Sequence, residues 1–227
     1  QSIYGNSVHT LYQDREGRIW IGTFNRGLFL MKYNPGISNV PEFIRYKHDP
    51  RDDTSISNGA VYSILGDGEG NLWIGTENGG LNLLEINNFK ENQCRFIHYR
   101  NNPSDNTSIS SNSIYSIYED KEKTIWIGTY GGGLSYYNET FNKFLYFHHI
   151  PEDQNSISNN CINVIYEERE YLWIGTELGL NVLIKKPGKS NIIFMTRPMK
   201  RVFLPIQYWQ YAEIKEIICG LEPGRAV

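Results

Sequence analysis

Long apolar runs are missing from this sequence. Nothing in its 227 residues approaches the ~18–20 consecutive apolar positions of a membrane-spanning helix, and no signal-peptide pattern opens the chain. Charge of one sign is missing too: the formal net charge is −3, with no basic stripe, so no nucleic-acid surface is expected. Cysteine is scarce. Cys94, Cys161 and Cys219 form an odd set without C-x-x-C spacing, which excludes a zinc ribbon and a thioredoxin-like redox motif. Helical periodicity is lacking over residues 1–194, as are a G-x-S-x-G elbow, a phosphate loop and a nucleophile–base set. No catalytic residue, metal site or cofactor is therefore assigned.

What the sequence does have is one phrase written four times. Trp20-Ile21-Gly22-Thr23 recurs as Trp73-Ile74-Gly75-Thr76, Trp126-Ile127-Gly128-Thr129 and Trp173-Ile174-Gly175-Thr176, at spacings of 53, 53 and 47 residues. A fixed period of this size marks a repeat architecture. Within the second repeat, Val61-Tyr62-Ser63-Ile64-Leu65 alternates like a strand, and Asp67-Gly68-Glu69-Gly70-Asn71 is a turn. Leu72–Thr76 is a second strand, Glu77-Asn78-Gly79-Gly80 another turn, Leu81–Ile86 a third strand and Arg95–Tyr99 a fourth. The fold expected is all-β: a partial β-propeller of four four-stranded antiparallel blades, about 3–48, 56–100, 109–149 and 157–194, with a non-repeat tail over 195–227.

The phrase has a physical reading. Strand alternation sends Trp73 and Gly75 to one face and Leu72, Ile74 and Thr76 to the other. A blade is covered on both faces, so both sets can be buried, and the glycine leaves room for close approach by the adjacent blade. Trp20, Trp73, Trp126 and Trp173, with Gly22, Gly75, Gly128 and Gly175, are therefore expected in the structural core rather than on a sugar platform. Cys161 stands where the other repeats carry Ser7, Ala60 and Ser113, and reads as a small buried thiol filling a small slot.

Enzymatic readings are weaker than a binding one. The pairs Glu119-Asp120 and Glu167-Glu168 offer the two carboxyl groups a glycosidase needs. They sit, however, where the first strand enters its turn, the place of Gln13-Asp14 and Gly66-Asp67, and Asp capping of a turn explains the recurrence. His48, His98, His148 and His149 lie near the ends of fourth strands in different blades, a poor arrangement for converging on one metal. The segment after Gly-Thr varies while its surroundings repeat, and variable blade-end loops are where recognition resides. Phe24, Arg26, Glu77 and Tyr130 are the ligand-binding candidates; aromatic groups beside charged ones suit an oligosaccharide.

Taken together, Ile114-Tyr115-Ser116-Ile117-Tyr118-Glu119-Asp120, Ile125–Thr129, Gly131-Gly132-Gly133-Leu134 and the linker with Pro103, Asp105, Ser108-Ile109-Ser110 and Asn112 resemble the two-component regulator propeller repeats. The resemblance covers about residues 3–194. It implies a fragment of the periplasmic sensor region of a hybrid two-component histidine kinase, one that detects glycan breakdown products and regulates polysaccharide-utilisation genes. It also implies further blades of a parent chain as partners, and open blade flanks imply a possible homodimer. The alternatives are a non-catalytic scaffold or interaction propeller and, behind it, a propeller glycosidase or lyase.

The tail stops matching at Met195. As written, Tyr208–Cys219 reads as a short amphipathic helix closed by Gly220. Read two bases into each codon, the stretch from Val202 instead permits Leu-Ser-Ser-Asn-Ser-Ile-Leu-Ala-Ile, and that from Ile214 permits Lys-Gly-Asn-Tyr-Leu-Trp-Ile-Gly-Thr. The expectation adopted is an out-of-frame remnant of a fifth blade, left by one base lost near Phe194, in which Cys219 and Trp209 have no selected role.

Overall fold

The computed structural model describes residues 7–33, 40–86, 89–91, 93–153, 155–186 and 189–197. Four antiparallel sheets follow one another, each a meander of four strands in chain order. The first holds β1 (Val8–Gln13), β2 (Ile19–Thr23), β3 (Leu28–Lys32) and β4 (Glu42–Tyr46). The second holds β5 (Val61–Gly66), β6 (Leu72–Thr76), β7 (Gly80–Leu84) and β8 (Ile97–Tyr99). The third holds β9 (Ile114–Glu119), β10 (Ile125–Thr129), β11 (Leu134–Asn138) and β12 (Lys143–Phe147). The fourth holds β13 (Ile162–Glu168), β14 (Tyr171–Thr176), β15 (Gly179–Lys186) and β16 (Lys189–Arg197). These are the blades of a propeller.

β16 continues to Arg197, past the boundary expected at 194, while residues 198–227, with the alternative helix over Tyr208–Cys219, lie outside the described residues. β8 is shorter than expected, starting at Ile97, because the Phe96 N–H leaves the ladder and donates to Thr54 O in the interblade linker at 2.9 Å.

In the first three blades the turn between the first two strands is built by one carboxylate. Asp67 Oδ1 accepts from the backbone N–H groups of Glu69 and Asn71, and Oδ2 accepts from the Trp73 indole N–H at 2.9 Å. Asp14 does the same for Glu16, Arg18 and Trp20, and Asp120 for Glu122, Thr124 and Trp126. A turn cap and a buried polar group are thus satisfied together. Burial opposes ionisation of Asp14, but hydrogen bonds from Trp20 and Arg18 outweigh it and hold its carboxyl below the ordinary carboxylate range. The fourth blade departs from this. Its hairpin pairs Glu168 with Tyr171 across only Arg169 and Glu170, with Arg169 at φ 56°, and the Trp173 indole N–H finds no acceptor among the described residues.

The core lies between blades rather than within them. Trp20 packs on Ile56, Val61, Leu72 and Ile74; Trp73 on Ile109, Ile114, Ile125 and Ile127; Trp126 on Ile157, Ile162, Leu172 and Ile174. Each indole therefore faces the following blade. The glycine beside it is the contact point: a Cβ on Gly22, Gly75 or Gly128 would stand 2.7 Å from a methyl of Val61, Ile114 or Ile162 respectively. Trp173, in the last sheet, is only half-buried.

Linkers lock the blades in register. Ile56, Ile109 and Ile157, the middle residues of the Ser-Ile-Ser signatures, are fully buried. Behind them, the buried Asn82 amide holds Ser57 and Asn181 holds Ser158. The inner strands β1, β5, β9 and β13 lie side by side in that order, and among the described residues β13 and β1 make no comparable approach. The blades form an arc about an axis lined by those four strands.

Candidate ligand-binding rim

The inner strands share one irregularity. Val8 pairs with Thr23 and Thr10 with Gly22, leaving His9 as an extra residue; Tyr62, Tyr115 and Asn163 are extra in the same way in β5, β9 and β13. A bulge of this kind bends the strand and re-aims one side chain. Here it does so at the same place in every blade, at the end of the axis that carries the Gly-Thr turns.

The re-aimed rings meet across blade boundaries. His9 lies edge-on to Tyr62 at 4.6 Å between centroids, Tyr62 stacks on Tyr115 at 4.8 Å, and Tyr115 stacks on Tyr130 at 5.3 Å. At the other end Phe24 lies against His9 at 5.5 Å. The result is an aromatic row through three blades. Its two ends, Phe24 and Tyr130, are 47% and 48% exposed, whereas Tyr62 and Tyr115 are half-buried by each other.

Three of the four binding residues expected from sequence belong to this row or touch it. Phe24 and Tyr130 are its ends. Glu77 accepts from the Tyr62 hydroxyl in a long contact of 3.4 Å. The turn that carries each of them is pinned to the inner strand of its own blade: Phe24 N–H donates to Ser7 O, Glu77 N–H to Ala60 O and Tyr130 N–H to Ser113 O. Arg26 does not join them. It is exposed at the far side of its turn, where its N–H is held by Thr23 Oγ1 and its carbonyl accepts from Arg45 Nε.

His9, Tyr62 and Tyr115 escape a reading based on strand alternation, because a bulge breaks the period at that residue. The signal was nevertheless present: positions 9, 62, 115 and 163, directly after the repeated β-branched residue, all carry a hydrogen-bonding side chain.

The row is partly desolvated. Burial first, and then Tyr62, Glu77, Tyr130 and Cys161 nearby, push the Tyr115 hydroxyl up to about 12. Burial and the Glu77 carboxylate push Tyr62 in the same direction. Both hydroxyls are hydrogen-bond donors throughout the physiological range. Cys161, at the border with the fourth blade, is half-buried rather than enclosed, so the buried slot expected for it is only partly formed; burial raises its thiol pKa.

The groups weighed as catalytic are occupied structurally. Asp120 builds its turn, while Glu119 accepts from Gly68 N–H at 2.9 Å and Glu167 from Lys121 N–H at 3.0 Å, each reaching back to the preceding blade. His48, His98 and His149 bond linker carbonyls of Ile56, Ser55 and Ile157. Among the described residues no three His, Cys, Asp or Glu side chains are grouped to hold a metal.

Comparison with known proteins follows the same repeats. The family described as two-component regulator propeller matches residues 5–25, 55–78 and 108–131, the inner-strand and Gly-Thr segments of the first three blades. Those three segments are similar to two-component regulator propeller repeats. A similar protein, histidine kinase P4 of Formosa agariphila, is 40% identical over 137 residues, 60% of this chain and 9% of that protein. The chain thus spans about a tenth of that protein. Among solved structures, the extracellular domain of a hybrid two-component system of B. thetaiotaomicron aligns with TM-score 0.63 and 23% identity, over 79% of this chain and 23% of that one. PorZ, a surface component of the type-IX secretion system of Porphyromonas gingivalis, aligns with TM-score 0.62 and 16% identity, over 82% of this chain and 26% of that one. At these identities the two structures establish the shared propeller fold.

Proposed function

We propose that this propeller is part of the ligand-sensing region of a hybrid two-component histidine kinase, lying outside the cytoplasmic membrane, and that its ligand is an oligosaccharide. In this reading the kinase answers released glycan by regulating transcription of polysaccharide-utilisation genes, and the propeller itself breaks no bond. The likeness to a histidine kinase supports the sensory role. The observation that carries the ligand assignment is the row Phe24–His9–Tyr62–Tyr115–Tyr130. Because neighbouring rings cover much of each other's faces, the row offers mainly ring edges, hydroxyls and an imidazole, with the Glu77 carboxylate beside them. Such a strip matches the alternating C–H and hydroxyl surface of an extended sugar chain, and one chain can touch three blades at once.

Fold alone does not separate sensing from scaffolding, since a secretion component shares it. Calorimetric titration with a panel of oligosaccharides does. The expected result is saturable heat with at least one glycan, weakened about tenfold or more by Tyr62→Ala or Tyr115→Ala, roughly the 1–3 kcal/mol that loss of an aromatic contact costs. Heat that survives both substitutions would move the site elsewhere; no heat with any glycan would favour the scaffold; sugar hydrolysis would restore a glycosidase.

A further inference from the structure

Blades in this chain close on one another in one way, three times over. The indole and glycine of a second strand face forward, and a β-branched residue of the next inner strand lies on the glycine: Val61 on Gly22, Ile114 on Gly75, Ile162 on Gly128. The fourth sheet repeats this forward side in β14, with Trp173 and Gly175. There Trp173 is half-buried and its N–H has no acceptor among the described residues. We propose that this side is the seat of a fifth blade, and that the gene encodes that blade one reading frame away from residues 195–227.

The support lies in the genetic code and in register. Taken from the third base of each codon, the stretch starting at Val202 admits Leu-Ser-Ser-Asn-Ser-Ile-Leu-Ala-Ile, the counterpart of residues 109–117. The stretch starting at Ile214 admits Lys-Gly-Asn-Tyr-Leu-Trp-Ile-Gly-Thr. Its tryptophan falls across Cys219 and Gly220, 47 residues beyond Trp173, the interval that separates Trp126 from Trp173. The isoleucine after the hidden Ser-Asn-Ser occupies the repeat position of Val61, Ile114 and Ile162. It is the residue that would lie on Gly175.

Degeneracy admits these residues without forcing them, so the nucleotides decide. A tryptophan requires TGT at Cys219, because TGC would give arginine. The Ile-Gly-Thr after it requires GGA at Gly220, TTG at Leu221 and GAA at Glu222. An open shifted frame also forbids GCT at Ala212 and ATT at Ile214, each of which would create a stop.

Two measurements test the proposal. Sequencing the gene through codons 190–222 should return the required codons; TGC at Cys219, or a stop in the shifted frame, overturns it. The given chain is then compared with one in which a single base is restored after the Phe194 codon. The restored chain should unfold at a higher temperature. The fluorescence due to Trp173, taken as the difference from a Trp173→Phe variant of each chain, should be less accessible to acrylamide. Gly175→Leu in the restored chain should reverse both changes by blocking the seat. A restored chain that is folded by circular dichroism yet shows neither change overturns the docking.

Discussion

The Trp73 indole N–H donates to Asp67 Oδ2 at 2.9 Å, six residues away in sequence and across the first turn of the blade. Because the same carboxylate accepts from Glu69 and Asn71, one side chain fixes the turn and aims the indole at the following blade. Asp67→Ala leaves those donors without their acceptor in a buried setting. A loss of about 2–3 kcal/mol is expected by denaturant unfolding. Glu168→Ala, in the blade whose Trp173 indole finds no such acceptor among the described residues, should change stability by less than about 0.5 kcal/mol.

Gly75 marks a close approach of the second and third blades. A Cβ there would lie 2.3 Å from Ser63 Oγ and 2.7 Å from Ile114 Cγ2, both on rigid strands. Gly75→Ala should therefore cost at least the ~1–3 kcal/mol typical of overpacking. Gly131→Ala is the control. Its site is open, with nothing within 4 Å of a Cβ, so only the strain of φ +84° remains, about 1 kcal/mol. Thermal unfolding of the two variants should separate packing from backbone conformation.

These two relationships also show what sequence could and could not convey. The Trp-Ile-Gly-Thr phrase fixes strand identity, period and blade count, because alternation plus a glycine admits few other structures. Turn capping by Asp14, Asp67 and Asp120 was legible from residue type; that the same carboxylates would hold the indoles was not, since it depends on how the hairpin folds back. In the rim, Phe24, Glu77 and Tyr130 stood out because the Gly-Thr turn varies in a constant frame. His9, Tyr62 and Tyr115 did not, because the bulge that presents them breaks the period used to find faces. Arg26 lies in the same variable turn, but there its carbonyl accepts from Arg45 Nε and its side chain stays apart from the row.

The tryptophans should be energetically unequal. Trp73 is enclosed by Ile109, Ile114, Ile125 and Ile127 of the next blade, so Trp73→Ala should cost about 3–5 kcal/mol. Trp173 is half-buried and its indole N–H finds no acceptor among the described residues, so Trp173→Ala in the same chain should cost clearly less. Equal costs in urea unfolding would contradict the interblade location of the core.

The rim also makes a prediction about alkaline pH. The Tyr115 hydroxyl ionises at about 12 in the folded chain, against an ordinary value of 10.0, chiefly because burial disfavours the phenolate. The neutral form is therefore the one the fold prefers. Its contribution to stability is complete below pH 10 and is lost as pH rises from there towards 12. Ultraviolet titration at the phenolate band should show a late-ionising tyrosine that Tyr115→Phe removes. The same substitution should flatten the fall in unfolding midpoint over that window, because phenylalanine has no proton to lose. Glu77→Gln should bring the Tyr115 and Tyr62 titrations to lower pH, since the carboxylate is one of the groups holding both phenols neutral. Arg26→Ala, away from the row, should leave them where they are.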